Sequence, residues 1–149
     1  MNARFAIPAC CVLLVATGCS PSAPYKTVPV SGKVTYEDGT LIPGPRVRVQ
    51  FVPQVQAVNP KEYPRPGSAE VLADGTFANA TTWKYADGVI PGQQKVMVQA
   101  LDTRQRPTGA VDPEYGSIRT PLTIEVKADM GPIEIKVPKP ASMPPGSGR

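Results

Sequence analysis

The side chains able to do chemistry in this 149-residue chain are few, and the missing type says as much as those present. Histidine is absent, which removes the commonest general base, the commonest zinc ligand and the physiological-pH switch together. Ser31, Ser68 and Ser117 therefore have no imidazole to activate a hydroxyl, and they read as strand and turn residues. A catalytic zinc needs three protein ligands and an open position, and neither histidines nor a cysteine cluster supplies them. Asp38, Asp74 and Asp87 each precede a glycine; oxygen ligands of this kind suit Ca²⁺, but the three are far apart and each has a sufficient role as a turn residue. Trp83 and Tyr85, with Lys84 between them, form the one tight aromatic pair. They could stack on sugar rings, or Trp83 could plug one end of a β-fold. The expectation is a protein that is not an enzyme, with no metal and no cofactor.

Cys19 is different, because its surroundings give it a partner. Met1 to Arg4 is a short, singly positive stretch, and Phe5 to Ala16 is uncharged and mostly apolar, too short to span a bilayer and right for a secretory leader. Leu13-Leu14-Val15-Ala16-Thr17-Gly18-Cys19 resembles a bacterial lipobox, with Ala16 where leucine is commoner. The resemblance implies lipidation of Cys19, cleavage after Gly18 and acylation, palmitate included, of the new amino terminus. Cys10 and Cys11 would leave with the leader, so the mature chain would hold one cysteine and no internal disulfide. Several acyl chains on one residue anchor durably, whereas one holds only marginally. Ser20 follows the cysteine where an aspartate would argue for retention at the inner membrane, so the expected location is the cell envelope, at the outer membrane, facing the periplasm or the surface.

The elements that must carry any site come from the rest of the chain. It holds 19 prolines and 13 glycines, too many for a helical bundle, yet 41% hydrophobic residues can fill a core. Residues 1–18 read as the signal peptide, 19–29 as a lipidated, proline-rich tether and 138–149 as a disordered Pro/Gly tail. Residues 30–137 alternate apolar and polar in seven segments: Val30–Tyr36, Arg46–Phe51, Ala69–Val71, Thr76–Thr82, Lys95–Ala100, Leu122–Lys127 and Ile133–Val137. Val47, Val49 and Phe51 should face a core while Arg46 and Arg48 face water. Asp38-Gly39, Asp74-Gly75 and Asp87-Gly88 supply turns, and the Asp74 pair has the spacing of a tight hairpin. The expectation is an all-β domain, an antiparallel sandwich of about seven strands. A net charge of +4, dispersed among carboxylates, favours anionic surfaces mildly and gives no reason to expect nucleic acid.

Val30-Ser31-Gly32-Lys33-Val34, Asp38-Gly39, Leu41-Ile42-Pro43-Gly44 and Val47 to Phe51 resemble the opening of a carboxypeptidase-regulatory-like domain. Asp74-Gly75-Thr76-Phe77 and Ile90-Pro91-Gly92 leading into Lys95 to Val98 continue the resemblance in order, to about Val137. It implies a prealbumin-like (transthyretin-like) or Ig-like sandwich used for adhesion, stabilisation or interaction, without the zinc domain of the peptidases that lend the name. Related surface domains join a first-strand lysine to a last-strand Asn or Asp; Lys33 stands in place, but the last strand offers only Glu134. The expected function is thus a membrane-anchored envelope lipoprotein presenting a non-catalytic interaction or structural module, with envelope proteins as partners. The alternative is a module that binds carbohydrate or cell-wall polymer through Trp83 and Tyr85.

Overall fold

A computed structural model describes residues 23–141. Among the described residues it is all-β, without helix, and its strands are β1 (Gly32–Tyr36), β2 (Arg46–Pro53), β3 (Gly67–Val71), β4 (Thr76–Phe77), β5 (Gly92–Leu101), β6 (Thr123–Val126) and β7 (Ile133–Val137). Alternation explains the strands directly. Val47, Val49 and Phe51 of β2 are buried beside Val96, Val98 and Ala100 of β5, while the arginines between them stay on the outer face.

The pairing departs from the antiparallel sandwich in two respects. All seven strands lie in one sheet, ordered β6-β5-β2-β3-β4-β1-β7, and β1 pairs with β7 in parallel from Gly32↔Ile133 to Tyr36↔Val137. Side-chain period 2 is common to parallel and antiparallel strands, so the alternation of Ile133, Ile135 and Val137 carried no information on direction. Direction is set by the connection. β6 and β7 occupy opposite edges of the sheet, yet residues 127–132 alone join them. Such a link spans at most about 25 Å. The edges must therefore approach each other, and the sheet curls into a half-barrel.

The sheet is held most thinly at β3–β4, where the ladder is the single pair Val71↔Phe77. Asn79 takes a left-handed φ of 55° just beyond β4, which ends the strand far short of Thr82. The segment 78–82 remains beside β3 through a bridge between Ser68 and Thr81. On the concave side, Phe51 and Phe77 meet across the two halves with ring centres 5.9 Å apart. Val34, Tyr36, Ile135 and Val137 close the core from the other half.

Polar groups also sit deep in this core. The Tyr36 hydroxyl donates to the Ala110 carbonyl at 2.6 Å, pinning the β5–β6 connection onto β1. Gln94 is fully buried, with its amide donating to the Ile90 carbonyl at 2.6 Å. Val28 and Val89 exchange both backbone hydrogen bonds, at 2.8 and 2.9 Å, so packing begins before β1. Gly88 permits that contact: it has φ 92°, and a Cβ there would lie 2.0 Å from the Val28 carbonyl oxygen.

Candidate functional site

Cys19 and the cleavage position after Gly18 lie outside the described residues. The expected aromatic pair lies within them, on the loop from Ala78 to Gly88. The Asp87 carboxylate organises that loop: Oδ1 accepts the Thr82 N–H at 2.8 Å, and Oδ2 accepts those of Trp83 and Lys84 at 3.0 Å each. Partial burial raises the Asp87 pKa, but these backbone donors outweigh it and hold the carboxyl below its usual range. Ala86 completes the turn in the left-handed region at φ 59°, with its N–H donating to Thr81 Oγ1 at 3.1 Å. Neither Asp87 as a loop organiser nor the strain at Ala86 was expected beyond the Asp-Gly turn signal.

The loop gives its two rings different roles. The Arg65 guanidinium stands 4.3 Å from the centre of the Trp83 ring, a cation–π contact, and Trp83 is half-buried with its Nε1 lacking a partner. Tyr85 is 86% exposed and stands at the rim of an open groove of about 520 Å³ shared with Arg48, Glu70, Leu72 and Asn79. Beside this groove, Glu70 Oε1 accepts from Arg46 at 2.7 Å and from Arg48 at 3.2 Å. Both arginines were expected on the solvent face; that one carboxylate bridges them depends on the register Arg48↔Glu70, which the sequence does not reveal. A second groove, of about 530 Å³, shares Leu72 with the first and runs between Leu41, Pro43, Pro45 and Ala73.

The remaining candidates resolve into local structure. Asp38 accepts from Lys139 and from Thr40, which hold its carboxyl well below the usual range. Asp74 does the same for Thr76, through the side chain at 2.6 Å and the N–H at 2.9 Å, and closes the β3–β4 hairpin. Ser117 donates to the Glu114 carbonyl within its own turn, and Lys33 is exposed on β1. Among the described residues no three His, Cys, Asp or Glu side chains gather as metal ligands, and no helix is long and apolar enough to cross a membrane.

The N-terminal segment is tied to the body more firmly than a proline-rich tether suggests. The Tyr25 hydroxyl accepts the Val58 N–H at 2.9 Å and donates to the Glu62 carbonyl at 2.7 Å. It thereby fastens residues just after Cys19 to the long loop between β2 and β3. Comparison of the chain with protein-family models, curated proteins and solved structures finds no match.

Proposed function

We propose that this chain is a cell-envelope lipoprotein, cleaved after Gly18 and acylated at Cys19, that presents a non-catalytic β-domain as an interaction or structural module. The observation that carries the reading is the run of a charged start, an uncharged stretch from Phe5 to Ala16 and small residues before Cys19, followed within a few residues by packed structure at Tyr25. The acyl chains would supply the membrane anchor, toward the outer membrane, and the partner would be an envelope protein. In this reading the half-barrel is a variant of the prealbumin-like sandwich of carboxypeptidase-regulatory-like domains. The one-pair ladder at β3–β4 supports that, since its loss would leave two facing sheets. Metabolic labelling with a palmitate analogue tests the anchor: the chain should be labelled and membrane-bound, and Cys19→Ala should lose both properties. An unlabelled wild-type chain would overturn the reading.

Binding of cell-wall polymer is the second reading, and the exposure of Tyr85 beside a polar groove favours it. Trp83 enters it as the support of the loop, because Arg65 occupies a face of its ring. Retention on cell-wall material that Tyr85→Ala abolishes and Trp83→Phe preserves is the expected result. No retention of the wild type would sink it.

A further inference from the structure

The loop between β2 and β3, residues 54–66, sits where the anchor would deliver it. Cys19 lies six residues before Tyr25, a reach of at most about 22 Å. Tyr25 is itself bonded to Val58 and Glu62 of this loop. Whatever partner holds Cys19, this end of the molecule cannot move far from it.

The composition of the loop fits a lipid surface. Val58 and Tyr63 are each 67% exposed, which puts an apolar and an aromatic side chain in solvent on this one loop. Tyrosine is at home in the headgroup region, where the ring is apolar and the hydroxyl wet. Lys61 and Arg65 on the loop, with Lys26 and Lys84 flanking it, are all exposed. The Arg65–Trp83 contact joins this loop to the segment that carries Lys84. The neighbouring acids are Glu62, bonded to the Asn59 amide at 2.6 Å, and Asp87, engaged with backbone N–H groups. Four cations against two occupied carboxylates leave the face positive.

We propose that the face formed by residues 54–66 with Lys26 and Lys84 lies on an anionic lipid bilayer. This deepens the anchored reading by stating how the domain is oriented: the β2–β3 loop faces the membrane, and the Leu41–Leu72 groove and Asp74-Gly75 hairpin point away, free for a partner. Each basic residue near such a surface adds roughly a fivefold gain in binding, screened by salt.

The test uses the chain begun at Ser20, which keeps every described residue and carries no acyl group, so that its outcome is independent of Cys19. It should sediment with phosphatidylglycerol vesicles at low salt and stay in solution with phosphatidylcholine vesicles. Lys61→Gln with Lys84→Gln should weaken binding about 30-fold, and Tyr63→Ala should weaken it further. Lys33→Gln with Arg104→Gln removes the same charge from the opposite end and should change binding less than twofold. The proposal is overturned if the wild type fails to sediment with anionic vesicles. It is equally overturned if both double variants lose binding alike, since bulk charge and not this face would then be responsible. Failure of palmitate labelling alone would remove the anchor while leaving this result standing.

Discussion

Tyr36 shows how one residue joins distant segments. Its ring is buried and its hydroxyl serves the Ala110 carbonyl, so Tyr36→Phe leaves a buried acceptor unsatisfied. The expected cost is about 1–3 kcal/mol, read from urea unfolding. Burial, and then the charge of Asp38, raises the Tyr36 pKa above its value in the unfolded chain. A neutral tyrosine is the form the fold prefers, so this contribution is complete below about pH 10 and is lost as pH rises through the folded value. Tyr36→Phe should flatten the alkaline limb of the stability profile. Asp87 runs the other way: its depressed pKa means that its contribution is present above about pH 4 and lost as acid protonates the folded carboxylate. Asp87→Asn should keep the loop shape in part and remove this acid dependence, measured by hydrogen exchange at the N–H groups of Trp83 and Lys84. That Tyr36 and Val34 would be buried was legible from alternation. The partner of the hydroxyl was not, because Ala110 lies 74 residues away on an irregular segment.

At the scale of elements, the strong period-2 segments were legible and the bends were not. β2, β5 and β7 fall where buried apolar residues, chiefly valine and isoleucine, alternate with more exposed ones, most of them charged or amide. β4 is shorter than the sequence suggested, two residues in place of Thr76–Thr82, because the left-handed backbone at Asn79 turns the chain away while Ala80 still reaches the core. Its one large anchor is Phe77, packed on Phe51, so Phe77→Ala should cost about 3–5 kcal/mol and loosen the joint between the two halves of the sheet. Gly88→Ala attacks the other joint. Its positive φ and the nearness of the Val28 carbonyl predict a loss of more than about 1 kcal/mol and release of the Val28–Val89 pair, seen as faster exchange at the Val89 N–H. By contrast Glu70→Ala should cost less than about 1 kcal/mol, since its ion pairs with Arg46 and Arg48 lie in solvent.

At the scale of the molecule, the absence of histidine and the surplus of proline and glycine lead to an all-β, non-catalytic expectation, and the all-β part is what the described residues form. The parallel β1–β7 pair and the continuous sheet were hidden because local pattern does not encode which edges a short crossover must join. The Trp83–Tyr85 signal was legible as an aromatic loop, while the division of labour between the rings rests on Arg65, 18 residues upstream in a loop without periodicity. Tyr25 carries the packed body to within six residues of Cys19, so the proposed lipid at Cys19 would also constrain how the domain is oriented. The most direct measurement is the mass of the amino-terminal peptide of the protein extracted from membranes of its producing cells. The account predicts a peptide that begins at Cys19 and carries diacylglyceryl and fatty-acyl mass. A peptide that begins at Met1, or at any residue other than Cys19, without lipid mass would contradict it.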